Sequence, residues 1–172
     1  MAIGVFFSEM GSELVRMLTY YAVSSEKLIG ELRIKAGWTR RDFNTVRRSL
    51  KRRDTDIDCS RGDLTALRSF LVGKRDFLLG LLGNPSLLQH DSFTELLWGI
   101  MHLTEELAAR SDVSHLSPSD ERHIAGDIRR AYRRLLAEWL AYMQHLQADY
   151  PYLFSLAVRM NPLDPGARPE VS

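Results

Sequence analysis

The chain has 172 residues, 45% of them hydrophobic and 26% charged, and its 23 basic and 22 acidic side chains leave a formal net charge of +1. That composition excludes disordered and fibrous classes, and a chain of this length buries about 70% of its unfolded surface as one domain. No apolar run approaches the ~20 residues that a bilayer span needs, and the single cysteine, Cys59, excludes an intramolecular disulfide and a multi-cysteine zinc site and suits a reducing cytoplasm.

Phe7, Met10, Leu14, Met17, Leu18, Tyr21, Leu28 and Leu32 recur at three- and four-residue spacing, which predicts one long amino-terminal helix over 1–36. Phe7, Leu14, Tyr21 and Leu28 also stand seven apart, the spacing of a short homodimer seam, although Ser24 and Ser25 weaken it. Gly37 ends the run. Thr39 and Asp42 then have capping-box spacing and open a second helix over 38–53, with Phe43, Val46 and Leu50 as its buried edge. The polar connector that follows reaches Ser60, read as the cap of a helix over 62–83. Gly83, Asn84 and Pro85 stop that helix, and Ser92 with Glu95 has the spacing of another capping box at the start of a helix over 92–110. Ser117 and Pro118 announce the longest helix, 117–149, whose Ile124, Ile128, Ala131, Leu135, Trp139, Tyr142 and Leu146 keep a 3.6 period. The segment 151–160 reads as a short closing helix, and the Pro- and Gly-rich residues 161–172 as a flexible tail. No alternating strand pattern occurs. The expected architecture is therefore all-α, a bundle of five or six helices in a single domain over 1–160.

The basic helix is the strongest departure from charge balance. Arg40, Arg41, Arg47, Arg48, Lys51, Arg52 and Arg53 stand there against Asp42 alone. Such a run suits an anionic membrane surface, an acidic protein partner, or nucleic acid through its phosphates, with a solvated arginine face as the plain reading. Of the base-reading side chains a DNA-binding helix would present, only Asn44 is suggestive. The leading expectation is a non-enzymatic interaction or regulatory domain, with a nucleic-acid-binding regulator as the alternative.

Asp54, Asp56 and Asp58 copy the first three ligands of a calcium loop, but Cys59 and Thr65 stand where that loop needs Gly and Glu, so the aspartates read as partners of Arg52 and Arg53. His102, His123 and His145 each precede carboxylates at helical contact spacing. Glu95, His102, Glu106, His123 and Asp127 are the ligands a metal-dependent bundle enzyme would use. The order of groups does not match the Glu-x-x-His pattern of carboxylate-bridged di-iron bundles, so surface pairs, no metal and no cofactor are expected. Cys59 has no histidine near it in sequence, and no nucleophile elbow or phosphate-cradling loop occurs, so no catalytic residue is assigned. Trp98, Tyr132, Trp139, Tyr142, Tyr150, Tyr152 and Phe154 read as core aromatics before they read as a pocket.

Two segments, NPSLLQHDSFTELLWGIMHLTEELAAR (84–110) and YPYLFSLAVRMNP (150–162), resemble an uncharacterised prokaryotic all-helical family, some members of which look like cytosolic extensions of potassium-channel-like membrane proteins. The resemblance spans about the last 110 residues. It implies a helical fold and a setting at the inner membrane surface, and it transfers no functional residue. Under it, residues 3–7 are the trailing end of a membrane helix and the basic helix lies just inside the bilayer. Lacking spans and a Thr-Val-Gly-Tyr-Gly filter, this chain cannot conduct ions alone.

Overall fold

The computed structural model describes residues 2–171. Helix α1 (Ala2–Phe6), a π-helical turn (Phe7–Gly11) and α2 (Ser12–Thr19) run on as one rod. Gly11 permits the wide turn, because a Cβ there would lie 2.6 Å from the Phe6 ring and 2.7 Å from the Phe7 ring. Both rings are buried, Phe6 edge-on to Phe93 and Phe7 stacked on Tyr142. Residues 3–7 thus begin a core helix, where the family resemblance had set the end of a membrane helix.

The expected 1–36 helix is broken at residues 20–24. There the backbone pairs with the distant connector: Val23 N–H donates to the Asp56 carbonyl and Asp58 N–H to the Tyr21 carbonyl, each at 2.9 Å, around an antiparallel bridge between Ala22 and Ile57. These bonds replace the helical ones the segment gives up. Ser24 takes the left-handed conformation (φ 55°) that starts the chain in a new direction, and α3 (Ser25–Glu31) follows. Gly62 lets the connector close over Tyr21, since a Cβ there would sit 2.4 Å from the ring. Phe7, Leu14, Tyr21 and Leu28 are all buried in the chain's own core. The heptad spacing read as a homodimer seam therefore belongs to intramolecular packing.

The basic helix α4 (Arg40–Arg52) opens with the expected capping box: the Thr39 hydroxyl accepts from Asp42 N–H, and the Asp42 carboxylate accepts from Thr39 N–H. Phe43 and Val46 anchor it. The 62–83 helix divides into α5 (Leu64–Gly73) and α6 (Arg75–Leu82), because Lys74 leaves helical geometry behind a glycine. Asp63, not Ser60, caps α5 by accepting from Ala66 N–H. Nor does Ser92 form its expected box. The helix α7 (Asp91–Ala108) starts one residue earlier, from a short 3₁₀ turn (Pro85–Gln89), and Thr94 ties the two together by donating to the Leu87 carbonyl.

Helix α8 (Pro118–Asp149), capped by Ser117, is the spine. At 32 residues it is about 48 Å long, and α2, α4, α7 and α9 (Pro151–Arg159) all pack along it. Its Tyr132 hydroxyl, buried, meets the Thr19 hydroxyl at 2.8 Å and fixes the register of α2 against it. The described residues thus form an all-helical single domain of eight helices, counting α1 and α2 as one rod. The five or six expected are exceeded because two periodic runs each break.

The expected flexible tail begins as core. Asn161, buried, donates to the Leu32 carbonyl at 2.8 Å and accepts from Leu163 N–H at 2.9 Å, and Leu163 is itself buried. A side chain that satisfies two backbone groups outweighs the loop-forming composition of the segment.

Candidate functional site

At 100° per residue, Arg40, Arg41, Arg48, Lys51 and Arg52 fall within an arc of about 120° on α4, opposite Phe43, Val46 and Leu50. All five are exposed, and none has an ion-pair partner among the described residues. The other two expected members of the basic face do structural work. Arg47 donates to Asn44 and to Gln144 of α8, each at 2.7 Å. Arg53 pairs with Glu31 at 2.6 Å, and the Ser49 hydroxyl donates to the same carboxylate at 2.9 Å. Burial pushes the Glu31 carboxyl up, but the bonds from Ser49 and Arg53 outweigh it and hold the group below the usual range. An open groove of about 540 Å³ runs beside these residues, lined by Lys27, Thr45, Arg48, Ser49, Arg52 and Arg53 around the neutralised Glu31. Arg133 of α8 extends the face, donating to the Lys51 carbonyl at the negative end of α4.

The aspartates of the connector do not answer Arg52 and Arg53. Asp56 faces Arg129 at 3.9 Å, and Asp58 accepts from the Ser60 N–H and hydroxyl. Among the aromatics, Tyr132 and Trp139 are core as expected, whereas Trp98 and Tyr152 stand on the surface, 58% and 73% exposed. Cys59 is buried, donates to the Glu121 carbonyl, and has its thiol pushed up to about 11 by that burial. A thiol so held is a poor nucleophile.

Of the five residues considered as metal ligands, four converge where α7 meets α8. His102 and Glu106 stand one helical turn apart on α7, and His123 and Asp127 one turn apart on α8. His102 Nε2 lies 3.6 Å from Glu106 Oε1 and 3.5 Å from Asp127 Oδ2. His123 Nε2 lies 3.2 Å and 3.4 Å from the same two oxygens. Glu95 is elsewhere, paired with Arg134. The far oxygen of each carboxylate is held by an arginine: Arg110 donates to Glu106 Oε2 at 2.8 Å, and Arg130 to Asp127 Oδ1. Arg110 is fixed in turn by a two-pronged contact with Asp120 at 2.6 and 2.9 Å. Hydrogen bonds from Arg110 and His123 hold the Glu106 carboxyl below its usual range.

Over residues 1–159 the chain matches the family described as the C-terminal helical domain of the uncharacterized protein MJ1433. The chain belongs to this family. It is 40% identical over 164 residues to the uncharacterized protein MJ1433 of Methanocaldococcus jannaschii, a match that covers 95% of the chain and 66% of that relative. The chain therefore spans just under two thirds of the relative's length. No solved structure matches it. The expected membership of an uncharacterised helical family holds, and the potassium-channel likeness gains no support from it. No helix among the described residues is long and apolar enough to cross a membrane.

In this member of the MJ1433 C-terminal helical family, the side chains that sequence reading passed over are the supporting ones. Lys27, Thr45 and Ser49 complete the groove beside α4. Arg110 and Arg130 orient the two carboxylates from four and three residues away along their helices, a spacing at which side chains on one helix face meet.

Proposed function

We propose that the chain is a non-enzymatic helical docking domain that lays α4 against an anionic surface, either the inner face of a membrane or an acidic protein partner. The observation that carries this reading is the row of five exposed cations on one face of α4 with no carboxylate to answer them among the described residues, beside a groove lined by four more polar or basic side chains. The exposed face of α4 holds no apolar side chain, so contact is electrostatic, without insertion, and weakens as salt rises. Each cation held near an anionic surface contributes about 1 kcal/mol. Nucleic acid is less well suited, because Asn44, the base-reading candidate, is engaged by Arg47.

The test is flotation of the purified chain with phosphatidylserine-containing and purely zwitterionic vesicles, with duplex DNA as competitor, for the native chain and a variant with Arg40, Arg41, Arg48 and Arg52 all changed to Glu. Salt-sensitive flotation with the anionic vesicles alone, lost in the variant and resistant to DNA, supports docking at a membrane. Displacement by DNA moves the face to nucleic acid. Absence of binding to both leaves the acidic partner, for which a poly-glutamate column is the probe, and failure there too removes the proposal.

A further inference from the structure

The four donors at the α7–α8 crossing have the form of a metal site. A tetrahedral ion with bonds of about 2.0–2.2 Å to imidazole nitrogen and carboxylate oxygen spaces its ligand atoms about 3.3–3.6 Å apart. The four imidazole-to-carboxylate separations here are 3.2, 3.4, 3.5 and 3.6 Å, and no two of the four ligand atoms are further apart than 4.8 Å.

A second observation separates this cluster from ordinary surface pairs. Asp127 is only 2% exposed, and its Oδ2, which faces both imidazoles, accepts no hydrogen bond. A buried carboxylate oxygen left in that condition costs free energy unless something positive meets it. Arg130 does not meet it, being bound to Oδ1 on the other side. Glu106 repeats the arrangement, with Arg110 on Oε2 and Oε1 turned toward the histidines. In both residues an arginine holds one oxygen and thereby aims the other, which is the part that outer-shell partners play around bound metals. His102 and His123 are 53% and 50% exposed, so an ion enters from solvent past them and reaches Asp127 as the floor. The other close histidine–carboxylate pairs, His145 with Asp149 and His115 with Asp112, offer two donors each and have no such floor.

The geometry points to a binding site for one divalent transition-metal ion of the zinc class, with His102, Glu106, His123 and Asp127 as its ligands. Two imidazoles favour such an ion over magnesium or calcium, which take oxygen donors. Because each helix contributes two ligands, the bound ion clamps α7 to α8. The site is independent of the docking face on α4.

The test starts from the full chain stripped with a chelator and titrated calorimetrically with Zn²⁺. One ion per chain is expected, with a melting temperature that rises with Zn²⁺ concentration and no comparable uptake of Mg²⁺ or Ca²⁺. The double variant His102→Ala/His123→Ala is expected to bind Zn²⁺ at least about 100-fold more weakly, while His115→Ala/His145→Ala matches the native chain. Both histidines of the first pair are half-exposed, so their loss spares the core. Glu106→Gln, which keeps the side chain's shape, is a second variant expected to weaken binding, and circular dichroism checks that each metal-free variant is folded. The proposal is overturned if the native chain takes up no Zn²⁺, if the first double variant binds as well as the native chain, or if Mg²⁺ and Ca²⁺ bind equally well.

Discussion

The two charged regions of this molecule are built on opposite plans. On α4, five cations that are close in sequence remain close in space and point outward with no ion-pair partner among the described residues. At the α7–α8 crossing, residues up to 25 apart in sequence point inward, and carboxylates and imidazoles face one another within 3.2–3.6 Å. A surface that leaves its charges unanswered suits a large partner that arrives from solvent. A cluster whose charges converge on a point suits something the size of an ion.

The comparison can be broken most severely at α4. Changing Arg40, Arg41, Arg48 and Arg52 to Glu is expected to lower affinity for anionic vesicles by at least about 100-fold at low salt, while the unfolding free energy from a urea titration changes by no more than surface substitutions cause, within about 0.5 kcal/mol for each. A large loss of stability in that variant would show that the face belongs to the fold. Next in size is the cap that launches the helix. Thr39→Ala removes the capping box and should cost about 1 kcal/mol, a fall in melting temperature of about 2–4 °C for a chain of this length, with vesicle affinity almost unchanged.

Single arginines sharpen the contrast further. Arg53→Ala breaks the half-buried pair with Glu31 and is expected to cost up to about 1 kcal/mol in a urea titration. Arg48→Ala, five residues earlier but unpaired, should leave stability unmoved and weaken vesicle binding. Equal stabilities for the two variants would erase the distinction between structural and free cations. The smallest effect is in pH. Because Glu31 titrates below its ordinary value in the folded chain, its contribution is present above the unfolded pKa and is lost as pH falls through the folded one. The stability gap between the native chain and Glu31→Gln should therefore be open at pH 7 and narrow as pH falls below the ordinary glutamate range, and a gap that widens in acid would contradict this.

What could be read from the sequence was whatever one helix determines by itself. The stripe Ile124 to Leu146 belongs to α8, the Thr39–Asp42 box opens α4, and the basic face is visible as a run of letters, since a helix maps sequence spacing onto angle. The break at residues 20–24 was not legible, because a periodic apolar run continues through a backbone that has exchanged its helical bonds for bonds to residues 56 and 58, and the one at Lys74 was not, because the apolar period runs on past a residue whose N–H still bonds locally to the Phe70 and Leu71 carbonyls. The same limit applies at the cluster. His102 with Glu106 and His123 with Asp127 were each visible as pairs, but the register of α7 on α8, which makes two pairs into four ligands, is set by core packing between the helices. Asn161 was hidden for a different reason: its composition signals a loop, and only the position of the Leu32 carbonyl turns that loop into core.

That last bond has a consequence for synthesis. Asn161 reaches back 129 positions to satisfy Leu32, and Leu163 seals the core beside it. During synthesis residues 2–36 are made before residue 161 exists, so the core beside Leu32 stays unsealed until the chain has passed Leu163. Nascent chains stalled before residue 161 are accordingly expected to be cut by protease within residues 2–36 faster than chains that extend past residue 163.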